Sequence, residues 1–378
     1  MDAESNLRRR GVWLAALGLC ALVTSSCLRA AEERAERDRE VGHARGDGLS
    51  VDVKHGHAAI LGLDAQRAFL WGSVPAFELS IGNSTGSVRS IELLVHNVMP
   101  AAELRQTSGT SSAPSAPEWL APTRVQWQLQ IPAHGSVELA LGPADFADRD
   151  PFEFALLSDV QEAIGGFHEM VDRVNEETDV RFVLGAGDLI SEGTKGELER
   201  FQAELSRMDV PYYATLGNHE LGEEPPPYHD LFGRGNYSFS FRGVRFTMLD
   251  SASATIDPLV YEWLGDWLDA GRAQTHVVAM HIPPFDPSGT RHGAFASKNE
   301  AAKLLNQLAL HHVDLTLYGH IHTYIHFENA GIDAHIAGGG GAIPNRGDGV
   351  GRHYLVVTLG TSGVRETRLV EVDSDWDF

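Results

Sequence analysis

From residue 150 onward the chain repeats one arrangement five times: a short apolar run, then at once a small polar cluster. Phe152 to Leu157 leads to Asp159-Val160-Gln161, and Arg181 to Ala186 leads to Gly187-Asp188. Tyr212 to Leu216 leads to Gly217-Asn218-His219-Glu220, and Thr275 to Met280 leads to His281. Leu315 to Tyr318 leads to Gly319-His320-Ile321-His322. Short apolar runs bounded by turn formers read as buried strands. Helical patterns lie between them. Ile164, Phe167, Met170, Val171 and Val174 share one face, as do Leu198, Phe201, Leu205 and Met208, and a further helix covers roughly 298–312. Alternating strand and helix predicts an α/β core, and open α/β sheets build their sites at the carboxyl ends of strands. The five clusters are therefore placed to converge, although they span over 160 residues of sequence. The antiparallel-looking pair Tyr237–Phe241 and Val244–Leu249, with a Gly-rich β region over 332–370, predicts a second, mostly antiparallel sheet.

The chemistry of the clusters is coherent. Asp159, Asp188, Asn218, His281, His320 and His322 offer oxygen and nitrogen donors without sulfur. That set suits Fe, Mn, Zn, Ni or Co rather than a soft metal. Cys20 and Cys27 are the only cysteines, so the folded part has neither a thiolate site nor a disulfide. Glycines precede Asp188, Asn218 and His320, where the chain must turn sharply to aim a side chain inward.

The order Asp-x-Gln, Gly-Asp, Gly-Asn-His-Glu, His, Gly-His-x-His resembles the calcineurin-like metallophosphoesterase family. Its spacings are 29, 30, 63 and 39 residues from Asp159 through Asp188, Asn218 and His281 to His320. The resemblance covers roughly 150–372 and implies a four-layer α-β-β-α sandwich that hydrolyses phosphate monoesters or diesters with two divalent ions. It implies that Asp188 bridges the ions. Asp159 and His322 would bind the first, with Gln161 near it, and Asn218, His281 and His320 the second. His219 would contact the phosphate and help the leaving group, with Glu220 in support. Two positions depart from the pattern. Gln161 stands where the family usually has His, and a neutral amide oxygen is the weaker ligand. Ser191 stands where purple acid phosphatases have the Tyr that colours them, so this protein is not expected to be purple. Arg291 and His292, in a polar loop, are candidate substrate contacts, and Pro283-Pro284-Phe285 a candidate pocket wall. Gly338 to Gly341 has no helix and no Lys-Ser or Lys-Thr after it, so it reads as close backbone approach rather than a nucleotide loop. Trp263 and Trp267 read as the core side of an amphipathic helix. The competing classes are a non-catalytic metal- or ligand-binding protein that retains the fold, another metal hydrolase, and a surface adhesion module.

The first 150 residues divide differently. Residues 48–146 alternate in short β-runs separated by Pro, Gly and Ser, which predicts a small all-β sandwich preceding the α/β part. Its histidines, His55, His57, His96 and His134, read as surface or strand-end residues. Residues 28–47, rich in Arg, Glu and Ala without an apolar face, read as a charged tether, disordered or loosely helical. Residues 1–27 read as an export signal: a basic Arg8-Arg9-Arg10, an apolar stretch too short for a membrane span, then small residues. Ser26-Cys27 resembles a bacterial lipoprotein cleavage point, which offers a lipid tether through Cys27. The other readings are cleavage near Ala30 or an uncleaved anchor. The chain is therefore expected outside a bacterial cytoplasm, as a periplasmic, secreted or membrane-anchored protein. A formal net charge of −22 argues against a nucleic-acid-binding surface; a phosphate ester, drawn in by the ions, is the partner that the resemblance implies. The sequence leaves oligomeric state open.

Overall fold

The computed structural model describes residues 30–109, 113–289, 293–345 and 350–372. The first ten strands are β1 (His43–Gly46), β2 (Leu49–His55), β3 (Ala58–Leu63), β4 (Arg67–Gly72), β5 (Phe77–Asn83), β6 (Arg89–His96), β7 (Ala102–Ser108), β8 (Glu118–Ala121), β9 (Arg124–Ile131) and β10 (Gly135–Pro143). They form two five-stranded sheets, in the orders β1-β2-β5-β10-β7 and β3-β4-β6-β9-β8. Strict alternation sets the pairing. Ile91, Leu93 and Val95 of β6 lie opposite Leu129, Trp127 and Val125 of β9, and all six are buried. Val137, Leu139 and Leu141 of β10 enter the same core from the other sheet.

The α/β part is built on β11 (Phe152–Leu156), α2 (Phe167–Asn175), β12 (Val180–Gly185), α3 (Lys195–Leu205), β13 (Tyr212–Ala214), α4 (Tyr228–Leu231), β14 (Tyr237–Phe241) and β15 (Val244–Leu249). It continues with α5 (Pro258–Gly271), β16 (His276–Met280), α6 (Lys298–Leu310), β17 (Leu315–Tyr318), β18 (Tyr324–Asn329), β19 (Ile332–Ala337), β20 (His353–Gly360) and β21 (Gly363–Glu371). One sheet runs β13-β12-β11-β20-β21, the other β14-β15-β16-β17-β19-β18. Phe154 and Phe182 of the first meet Phe246 of the second edge-on, each pair with centroids 5.3 Å apart. Phe167, Met170, Val171, Leu198 and Phe201 of α2 and α3 are fully buried beside the first sheet. Leu264, Leu268, Leu304 and Leu308 of α5 and α6 are equally buried beside the second. The fold is thus an α-β-β-α sandwich. The helices start on local signals: a Thr194–Glu197 capping box for α3, Asp257 ahead of Pro258 for α5, and Ser297 for α6.

The second sheet corrects the sequence expectation of mostly antiparallel strands. β15, β16, β17 and β19 run parallel, and only the outer β14 and β18 are antiparallel to their neighbours. α5 and α6 carry the chain back over the sheet so that β15, β16 and β17 point the same way, and β18 runs out along the edge so that β19 returns parallel to β17.

The tether expectation for 28–47 also changes. Residues 30–40 form a helix, α1, that docks on the α/β part through buried polar groups. Arg34 places Nε 2.6 Å from Asp250 Oδ2, and both side chains are buried. Asp38 accepts from the backbone N–H of Gly235 and Asn236 at 2.7 and 3.1 Å. Ala31 and Ala35 are buried beneath, and the Arg39 guanidinium lies 5.7 Å from the Trp263 ring. Trp263 and Trp267 pack half-buried on the α5 core. No helix among the described residues is long and apolar enough to cross a membrane.

The β-sandwich caps the edge strand β13. Asn97, in a left-handed conformation, donates to Tyr212 O and accepts from Tyr212 N, both at 2.8 Å, as a neighbouring strand would. Trp71 meets Phe232 edge-on at 5.4 Å, and Ser73 Oγ donates to Phe232 O at 2.7 Å. His57, directly ahead of β3, and His96, which ends β6, are strand-end residues as expected, and both pack on aromatic rings. His57 packs against Tyr237, and His96 stacks on Trp71.

Candidate metal centre

Each cluster begins where its strand stops, and the chain turns by an unusual route. Asp159, Gln161, Asp188 and His320 adopt left-handed conformations with φ of 61°, 46°, 52° and 68°. Such a residue costs about 1–3 kcal/mol unless its surroundings hold it. Here they do. Asp159 N donates to Gly187 O at 3.2 Å and Gln161 N to Asp188 O at 3.3 Å. His320 N donates to Asp159 Oδ1 and His219 N to Asp188 Oδ1, both at 2.9 Å. Gly187 has φ 83°, and a Cβ there would lie 2.4 Å from Gly217 N, so no other residue fits. Gly340 backs the site: a Cβ on it would meet Ser158 O at 2.4 Å, in keeping with close backbone approach.

The seven candidate ligands converge. Asp188 belongs to two groups whose donor atoms lie within 4.8 Å of one another, Asp188-His281-His320 and Asp159-Asp188-His322. Asp188 Oδ2 is 3.2 Å from His281 Nε2, and Asn218 Oδ1 is 3.1 Å from the same nitrogen. His322 Nε2 is 3.6 Å from Asp159 Oδ1. Gln161 Nε2 donates to Asp188 Oδ2 at 2.9 Å and lies 3.4 Å from His322 Nε2, so its amide faces the same point. The second nitrogens are anchored: His281 Nδ1 donates to Ala186 O and His322 Nδ1 to Ile343 O, both at 2.7 Å. That turns Nε2 inward as the nitrogen available to a metal, which would displace any proton there.

Glu220 has a role that the sequence does not reveal. It is fully buried, and its carboxylate accepts from the backbone N–H groups of Gly217, Leu189, Asp188 and Ile190 at 2.6, 2.8, 2.9 and 3.3 Å. It ties the Gly-Asp loop to the Gly-Asn-His-Glu loop instead of supporting His219. His219 is held by its own Nδ1, which donates to Ser191 O at 2.6 Å. Its Nε2 lies 3.9 Å from Asp188 Oδ2 and its side chain is 35% exposed. Pro283 and Pro284 are buried, while Phe285 stands exposed. Arg291 and His292 lie outside the described residues.

The electrostatics call for cations. Burial raises Asp159 above the usual carboxylate range, only partly offset by His281 and His322. Burial would raise Asp188 too, but the charge and hydrogen bond of His281, then His219, hold it well down. His281 is pushed up to about 9: burial opposes this, and Asp188, Asp159 and Glu220 outweigh it. Among the described residues, the ion pairs of Asp159 and Asp188 are with histidines alone. Protons on imidazole thus balance the buried carboxylates, a place that divalent ions bound by the same oxygen and nitrogen donors fill. The donor set fits two such ions, with Asp188 shared.

Residues 152–324 match the model of the calcineurin-like phosphoesterase family. Over that stretch the chain is similar to calcineurin-like phosphoesterases. Its fold resembles that of a purple acid phosphatase from yellow lupin (Lupinus luteus) seeds, with a TM-score of 0.50 and 13% identity over 79% of this chain and 73% of that one. A dimetal phosphatase from Danio rerio aligns with 59% of this chain and 100% of its own at 16% identity and a TM-score of 0.45. No curated protein sequence matches the chain. The lupin likeness speaks for fold alone. The stretch matched by the family holds every candidate ligand from Asp159 to His322.

Proposed function

We propose that this protein hydrolyses a phosphate monoester or diester with two divalent ions, outside the cytoplasm. The carrying observation is Asp188, shared between two donor groups. One ion would take Asp159, Asp188, His322 and, with its amide turned over to present oxygen in place of the nitrogen that now faces Asp188, Gln161. The other would take Asp188, Asn218, His281 and His320. Divalent ions held there supply Lewis acidity to a phosphoryl oxygen and make water acidic enough to attack phosphorus at neutral pH.

The chain's own part is positioning and proton handling. Glu220 fixes the two loops that present Asp188 and Asn218. His219, with Nδ1 occupied by Ser191 O, has Nε2 for the substrate. Protonated, it donates to a phosphoryl or leaving oxygen and neutralises charge that grows there. Two dications against Asp159 and Asp188 leave the site positive, which supports an anionic ester entering despite the net charge of −22. The basic, apolar and small-residue succession of residues 1–27 supports export, with a lipid tether at Cys27 as one form of it.

The test pairs elemental analysis with hydrolysis of p-nitrophenyl phosphate and bis-p-nitrophenyl phosphate in added Mn2+. Wild type should hold about two ions per chain and turn over one ester. Asp188→Ala and Asn218→Ala should lose activity by at least about a hundredfold. A folded protein that binds no ion and cleaves neither ester would instead make this a ligand-binding relative, with Gln161 as the residue to examine.

A further inference from the structure

Beyond the catalytic ligands, β18 leaves the sheet edge as an antiparallel ribbon with β19. His326 lies directly opposite His335 in its register. Asp333 is two residues before His335, so all three side chains share one face. The two imidazoles stack with centroids 4.4 Å apart and planes 5° from parallel. Asp333 lies between their Nε2 atoms, 2.6 Å from that of His326 and 3.6 Å from that of His335. His335 is fully buried, and its Nε2 has no hydrogen-bond partner. Its Nδ1 meets the Tyr324 hydroxyl at 3.1 Å. Tyr324 occupies Nδ1, so Nε2 is the ring nitrogen that faces Asp333 and the one that must be without a proton to ligate. A buried polar atom without a partner is rare enough to need a reason.

We propose that His326, Asp333 and His335 form a second metal site, for one borderline divalent transition ion such as Zn2+, Ni2+ or Cu2+. The donor atoms of the three lie within 4.8 Å of one another. Two imidazoles and one carboxylate suit these ions better than Ca2+ or Mg2+, which prefer all-oxygen sites. His335 is the rigid anchor. His326 and Asp333, with side chains 57% and 42% exposed, are free to close on the ion, and water completes the shell. The site shares no residue with the catalytic centre. It lies on β18 and β19, beyond the turn that carries His320 and His322.

The test is equilibrium dialysis of the full chain against Zn2+ at neutral pH, with zinc counted by elemental analysis, for wild type and His326→Ala. His326 is exposed and outside the proposed catalytic ligands, so the variant should fold and keep its catalytic-centre ions. Wild type should bind one more zinc per chain than His326→Ala. The affinity of that extra site should fall by at least about a hundredfold, beyond the roughly 10–100-fold that a supporting residue costs. Cu2+ electron paramagnetic resonance should show nitrogen coupling from two imidazoles at the added site, lost in His326→Ala and weakened in Asp333→Asn. Equal zinc counts and affinities in wild type and variant would overturn the proposal and leave a hydrated histidine–aspartate pair. The difference measurement reads the same whether or not the other centre hydrolyses an ester.

Discussion

Glu220 bears on function without reaching a reacting atom. Its two oxygens accept four backbone donors from two loops, and an amide could accept with only one oxygen while turning N–H toward N–H. Glu220→Gln should therefore lose on the order of 3 kcal/mol in urea denaturation and should loosen both ions, since Asp188 and Asn218 sit on the loops it joins. Unchanged stability would mean that the loops hold themselves. Gln161 predicts the opposite sign. Gln161→His supplies the stronger imidazole and should slow chelator extraction of the first ion by about tenfold or more; an unchanged rate would place Gln161 outside the ligand set. The ligand types were legible because each stands directly after an apolar strand. Glu220 was not, because its partners are backbone N–H groups about 30 residues upstream, which no residue type announces.

At the scale of elements, periodicity finds what packs by apolar stripes and misses what docks by polar pairs. The strands of the sandwich and helices α2, α3, α5 and α6 all have such stripes. Helix α1 does not: it is held by Arg34 on Asp250 and by Asp38 on the backbone of Gly235 and Asn236. Removing one partner of a buried ion pair strands the other charge, so Arg34→Ala should cost about 3–5 kcal/mol. Hydrogen exchange over residues 30–40 is the direct readout. Exchange as slow as in wild type would show that Ala31 and Ala35 suffice to hold the helix. The direction of the second sheet was hidden for a related reason. Strand patterns carry no direction, and the helices read at Trp263–Trp267 and over 298–312 give one only when they are placed as crossovers on that sheet.

In the whole molecule, β16 links the sheet core to the site, with a histidine at each end of its run. His281 emerges among the carboxylates, whereas His276 enters the sheet buried between elements. Burial, then the nearby Arg245 and His311, lower His276 to about 3, from an ordinary value of 6.5. Its Nε2 lies 2.9 Å from the Thr247 hydroxyl. Above pH 6.5 the folded and unfolded chains both keep this imidazole neutral, so it adds no pH dependence. Below 6.5 the unfolded chain takes up a proton that the folded one refuses. Stability then falls by up to about 1.4 kcal/mol per pH unit, a slope that flattens as pH approaches 3. His335, lowered to about 4, adds a second loss that begins at the same pH and ends sooner. His276→Gln keeps an acceptor for Thr247 and removes the titration. Urea denaturation at pH 7 and pH 5 should therefore find the variant less stable at pH 7 but losing less on acidification. Equal losses in both proteins would assign the acid sensitivity to other groups, the lowered His57, His96 and His335 among them, and leave His276 a packing residue alone.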